Sequence, residues 1–480
     1  MAGMGPISRR HTLQGAGALG VAALLGGKPG GGDIVAAGQK IGMPGRASAV
    51  IVEKVFKTPL IDTHEHLIEE KERLAASHPR VEADDWSLLL SHYLDSDLLV
   101  AGMPSDAYDT FFSPKTDPVD KWRFIEPYWA AVKNTGYGQA VRIAIQQLYE
   151  VDDLSAATVK KVQTAYEQTR RAGFYRRILC DQAKIESCQV NCLGRPFGES
   201  DMPTLLMQDL SIVGMFAGPD LNGLGKPTGI EVRSLADWHR VIDWWFDKYA
   251  KYAVAVKSQH AYSRDIDYEQ VPAEKVEAVF KKRLANEPLT AQEKKDLEDH
   301  LFWYAVRKAT EYKLPVKLHT GYYAGQNGMP LDRLSHNASS AADLCRKAPD
   351  TKFVFMHICY PYYEELLAVA KHYTNAYVDM CWSWIINPVA AKDFLKKFLV
   401  TAPANKILTF GGDYIPVEPV LGHAVIARRG IALALSELVD EGWLSLADAM
   451  DLIDPIMHTN ARQIFNLPEK TRVLQGVTWS

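Results

Sequence analysis

The chain has 480 residues, of which 47% are hydrophobic and 23% charged. That is ordinary globular composition, and it excludes disorder, a collagen-like fibre and a small disulfide scaffold. Lysine and arginine number 54 against 58 aspartates and glutamates, a net charge of −4 with no long basic run, so neither nucleic acid nor an anionic membrane surface is expected as the main partner.

The first predicted element is an export signal. Arg9-Arg10 precede a weakly apolar run from Gly15 to Leu25, and Val35-Ala36-Ala37 offers small residues to a signal peptidase. Residues 1–37 are assigned to a twin-arginine signal and 38–49 to a flexible leader, with a periplasmic or extracellular destination. A cytoplasmic protein with a glycine-rich leader is the alternative. The apolar run falls short of the ~20 residues that span a bilayer, and no later stretch reaches that length. The six cysteines lie mostly in apolar contexts and are expected to be free and buried.

A short strand is expected within residues 50–61, followed by a largely helical region over 69–176. That region includes a helix from Trp86 to Leu99, its N-terminus favoured by Asp84-Asp85. Strands follow at 184–191, 253–259, 314–319, 352–357, 376–379 and 406–410, alternating with helices. The alternation predicts parallel βαβ units in one domain over 50–467, with 468–480 as a C-terminal tail.

Several of these strands end in groups that ligate metals. In Asp62-Thr63-His64-Glu65-His66 the two histidines are two apart on a strand, so both imidazoles leave the same face. Apolar runs also end in His319-Thr320-Gly321, in His357, and in Gly411-Gly412-Asp413. A single buried histidine more often satisfies a backbone carbonyl. Four such strand ends are a different matter, because a parallel barrel gathers them on one face. Neutral imidazoles plus a carboxylate suit a borderline divalent ion such as zinc.

In these motifs the chain resembles the amidohydrolase superfamily, in particular its amidohydrolase-related branch, over roughly residues 50–467. The resemblance implies an α/β fold, a distorted (β/α)8 TIM barrel with a long helical insertion after the first strand. It implies metal ligation by His64, His66, His319 and Asp413, and places His357 as a catalytic residue or second-metal ligand. The implied activity is hydrolysis of an amide, ester or lactone bond in a small molecule. A metal-dependent decarboxylase or a uronate-isomerase-like enzyme is the alternative on the same barrel.

One divalent ion, zinc, is expected, lowering the pKa of a bound water towards ~7. Asp413 is expected to move the proton, and His357 to polarise the scissile carbonyl or bind the oxyanion. Asp62 is read as orienting a ligand imidazole or as a cap. Lys257 is read as a second-metal residue if carboxylated, or otherwise as one half of an ion pair. Arg264 is a candidate for a substrate carboxylate, with an ion pair to Asp265 or Asp267 as the plainer reading. Tyr322, Tyr360 and Trp382 are candidate substrate contacts or loop packing. The partners expected are a small-molecule substrate, no nucleic acid and no membrane span, with a homo-oligomer left open.

Overall fold

The computed structural model describes residues 48–217, 220–326 and 328–479. The expected export signal and the leader up to residue 47 lie outside the described residues. Among the described residues there are nine short strands: β1 (Leu60–Glu65), β2 (Ile185–Val190), β3 (Leu206–Gln208), β4 (Leu210–Ser211), β5 (Val256–Ser258), β6 (Val316–Leu318), β7 (Phe353–Met356), β8 (Ala376–Asp379) and β9 (Ile407–Leu408). They pair in parallel in the order β1-β2-β3 and β4-β5-β6-β7-β8-β9. Asp209 separates β3 from β4, which together form one stave.

The last stave returns to the first. Thr63 N donates to Phe410 O at 3.0 Å, Asp413 N to His64 O at 2.8 Å and His66 N to Tyr414 O at 3.0 Å. The result is a closed α/β barrel of eight staves, the expected distorted TIM barrel. Lys317, with no exposed surface, lies across its interior. It donates to Thr63 O at 2.5 Å, Gln189 Oε1 at 3.2 Å and Asp209 Oδ2 at 2.6 Å.

Three local expectations are corrected. Residues Ala49–Lys57 form a helix that buries Ile51, Val55 and Phe56, and the first strand begins only at Leu60. The stave at 206–211 was not anticipated, because two and three residues are too few to show a periodic pattern. The helix expected over 86–99 is broken: a 3-10 turn over Trp86–Leu90 is followed by a helix over Leu94–Val100. Tyr93, at φ 84°, makes the break and turns towards the barrel mouth.

The helical insertion is fastened to the barrel at two places. Its helix Gly136–Tyr149 packs along Glu418–Asp440, and a Cβ on Gly422 would sit 1.9 Å from Ala140 O. Only glycine permits that approach. Arg73 is buried and pairs with Asp84 and Glu418, bridging the insertion to the helix that follows β9. The segment expected as a tail is partly helical over Leu467–Leu474, and beyond it Trp479 Nε1 donates to Ser200 O at 2.7 Å. Among the described residues no helix is long and apolar enough to cross a membrane. All six cysteines are free, and four of them are buried.

Candidate metal centre

His64 and His66 alternate with Thr63 and Glu65 along β1, so both imidazoles project on one side at the strand's end. Their Nε2 atoms each lie 3.2 Å from Oδ1 of Asp413. Asp413 reaches them through Gly411-Gly412, where a Cβ on Gly411 would sit 2.4 Å from the Cys381 Cβ. His64, His66 and Asp413 thus offer three ligand atoms within 4.8 Å of one another.

The donor set fits a divalent ion. His66 Nδ1–H donates to the Asn191 carbonyl at 2.8 Å, which leaves Nε2 as the lone-pair nitrogen. A lone pair facing a carboxylate oxygen is repulsive unless a cation stands between them. Asp413 Oδ1 has no hydrogen-bond partner, and neither has His64 Nδ1. Burial drives the His64 pKa well below its usual value, so the imidazole is neutral and ready to ligate.

The other expected site residues are placed differently. His319 follows β6 and is buried, but its Nε2–H is committed to the Tyr322 carbonyl at 2.9 Å, and it stands outside the ligand group. Its ring lies 4.5 Å from that of His357. His357 Nδ1–H donates to the Cys381 carbonyl at 2.9 Å, while Nε2 faces Asp413 Oδ2 at 3.8 Å with no hydrogen-bond partner. Burial lowers its pKa to about 4, so it is neutral at pH 7 and its Nε2 is an acceptor. That suits accepting a hydrogen bond. Polarising a carbonyl or holding an oxyanion requires a donor, and this tautomer provides none.

His357 also heads three consecutive left-handed residues, with φ 61° at His357, 52° at Ile358 and 54° at Cys359. Such backbone costs on the order of 1–3 kcal/mol per residue and is held by its surroundings. Trp382, at φ 63°, lies beside it with the ring centroids 5.2 Å apart.

Asp62 acts on backbone and touches no ligand imidazole. Its Oδ1 accepts from His64 N at 3.1 Å and Gly412 N at 3.2 Å, tying together the two segments that carry the ligands. Burial raises its pKa to about 7, and Glu65 shares its proton. Lys257, on β5, is 1% exposed; its side chain makes no hydrogen bond or ion pair among the described residues and stands outside the ligand group. Burial lowers its ammonium pKa to about 8, against the pull of the Asp413 carboxylate.

Arg264 is not available to a substrate. Its guanidinium pairs with Glu298 at 3.2 Å, Asp299 at 2.8 Å and Asp267 at 3.0 Å, so the ion-pair reading holds, extended by two acids of the helix Ala291–Glu311. Trp382 is fully buried, stacks on Tyr93 at 4.8 Å, and leaves its indole N–H without a partner. Tyr322 lies 6.1 Å from Trp382 and 6.4 Å from Tyr360, so the three aromatic residues pack into one cluster.

Sequence reasoning missed His92 and Tyr93. Tyr93 Oη donates to the Asp413 carbonyl at 2.5 Å, and the His92 ring stands 6.3 Å from that of His66. Both were hidden inside the expected helix. A polar histidine in the apolar stretch Leu88–Leu94 was the available signal.

Comparison with known proteins settles the family. A family model described as amidohydrolase matches residues 226–467, which include His319, His357 and Asp413. The chain belongs to the amidohydrolase family. The matched stretch begins ahead of β5, so His64 and His66 join the site from outside it.

This amidohydrolase is similar in fold to a uronate isomerase from Thermotoga maritima, at 13% identity and TM-score 0.72, over 88% of this chain and 99% of that one. It is similar also to a glucuronate isomerase from Caulobacter crescentus, at 17% identity and TM-score 0.70, over 87% and 93% of the two chains. In sequence it is 26% identical over 165 residues to protein fluG of Emericella nidulans, a match covering 34% of this chain and 18% of that protein.

Proposed function

We propose that this amidohydrolase hydrolyses an amide, ester or lactone bond of a small molecule with one divalent ion, zinc, held by His64, His66 and Asp413. The observation that carries the reading is the divided role of Asp413: Oδ1 faces the two ligand histidines at 3.2 Å, and Oδ2 faces His357 at 3.8 Å. When bound, the ion supplies Lewis acidity and lowers the pKa of a water.

The chain's own residues do the rest. Asp413 Oδ2 takes a proton from the attacking water and passes it to the leaving group, with His357 Nε2 as a neighbouring acceptor. Tyr93 fixes the Asp413 loop through its carbonyl. Trp382, with no exposed surface, excludes solvent on the far side. His66 is held by Asn191 in the tautomer that ligation requires.

The test is a panel of amides, esters, lactones, aromatic acids and hexuronates given to zinc-loaded and chelated protein. Zinc-dependent hydrolysis of at least one member is expected. The second reading, isomerisation of a uronate, is favoured by the isomerase neighbours, whose likeness extends over the helical insertion but concerns fold alone. Interconversion of hexuronates with no hydrolysis anywhere in the panel would replace the first reading by the second.

A further inference from the structure

A cleft of about 230 Å³ opens beside the metal centre, with His66 in its wall. At roughly 30 Å³ per water it has room for about eight waters, the scale of a small organic acid. Two loops form its rim. One follows the helix Glu70–Leu74 and carries His78 and Arg80; the other follows β2 and carries Cys192 and Arg195.

Arg80 and Arg195 make no ion pair and no side-chain hydrogen bond among the described residues. Arg73, Arg264 and Arg462, by contrast, are engaged by acids: Arg73 by Asp84 and Glu418, Arg264 by three acids, Arg462 by Glu186. His78 lines the same cleft as both arginines; burial lowers its pKa and, against the pull of the Glu72 carboxylate, the Arg80 and Arg195 charges lower it further. The field of Arg80 also reaches His92, which sits against His66.

Beneath the second loop the Asn191 side chain is fully buried with neither its nitrogen nor its oxygen bonded, and Gln208 Oε1, in the cleft wall, is likewise without a partner. Cations on the rim and unbonded polar groups close by are what an anionic, hydrogen-bonding ligand would complete.

We propose that this cleft is an anion subsite of the active site, in which Arg80 and Arg195 grip a carboxylate of the substrate while its scissile bond lies at the metal centre. Glu69 and Glu72 also line the cleft. Their charges disfavour a dianionic phosphate more than a singly charged carboxylate, which is why the carboxylate is chosen. The proposal rests on the hydrolase reading only in taking the His66 side as the place of reaction.

The experiment is binding, so it is independent of turnover. The dicarboxylate series malonate to adipate, the corresponding diamides and glycerol 3-phosphate are titrated calorimetrically into wild type, Arg80→Met, Arg195→Met and Arg195→Lys, each with zinc and after chelation. At least one dicarboxylate is expected to bind wild type, more weakly at high salt. Its affinity should fall roughly tenfold or more in each Met variant, with partial rescue by lysine, and its diamide should not compete. The arginine dependence should survive chelation.

Equal affinity in wild type and the Met variants, arginine-independent binding lost on chelation, or no binding of any dicarboxylate would overturn the proposal. Tighter arginine-dependent binding of glycerol 3-phosphate would overturn the choice of carboxylate. A chain that binds dicarboxylates through the arginines but hydrolyses nothing would retire the hydrolase reading and leave the subsite standing.

Discussion

Lys317 on β6 and Lys257 on β5 are register partners on adjacent staves, and both are buried. Lys317 is fully engaged: a backbone carbonyl, an amide oxygen and the Asp209 carboxylate receive its protons. Lys257, one stave away and within electrostatic reach of Asp413, has none of these. Two identical side chains at the same depth thus differ in whether the protein satisfies them. A satisfied buried cation holds the barrel together; an unsatisfied one beside Asp413 leaves bonds for a bound molecule to make.

The comparison can be broken at its structural end first. Lys317→Met strands Asp209 as an unpaired buried acid and should cost about 3–5 kcal/mol, read as a large fall in thermal and urea midpoints. Lys257→Met removes a buried, unpaired charge and should leave those midpoints within about 1 kcal/mol of wild type, or raise them. Equal losses in the two variants would erase the distinction.

At the catalytic end, Asp413→Asn should lower turnover of any substrate found by about 100-fold or more, because the proposed proton acceptor is gone. Metal analysis sharpens the boundary of the site. His66→Ala should lose most of its zinc, whereas His319→Ala should keep it, since the His319 Nε2 is engaged by Tyr322. Zinc lost equally from both variants would return His319 to the ligand group.

The barrel and the sequence positions of the candidate metal ligands were legible because apolar strands ending in histidine or aspartate repeat along the chain. The break at His92 and Tyr93 was not legible. Its cause is a hydrogen bond from Tyr93 to Asp413, 320 residues away, and no local pattern encodes a long-range contact. Arg264 illustrates the converse. Its sequence neighbourhood held two acids, but the residues that occupy most of its fork, Glu298 and Asp299, arrive from a later helix. The third stave was too short to show alternation.

The smallest effect concerns a histidine outside the candidate ligand group. Burial lowers the His260 pKa from 6.5 to about 3, with the Arg264 charge adding to the shift. A depressed histidine stays neutral in the fold, so its contribution to stability is complete above pH 6.5 and is lost as the pH falls towards 3. In His260→Gln the slope of stability against pH across that window should be shallower, by at most about 1.4 kcal/mol per unit. Parallel pH profiles for the two proteins would show that His260 is neutral for another reason.

The left-handed run at His357-Ile358-Cys359 has a consequence for laboratory evolution. Ile358 is a branched residue in a conformation that glycine adopts freely. Its side chain has no exposed surface and belongs to the core, so the several kcal/mol lost by emptying that site exceed the strain that glycine would relieve. A screen for heat resistance should therefore leave Ile358 in place, and clones that exchange it for glycine should be less stable and, with the hold on the His357 ring slackened, slower as well.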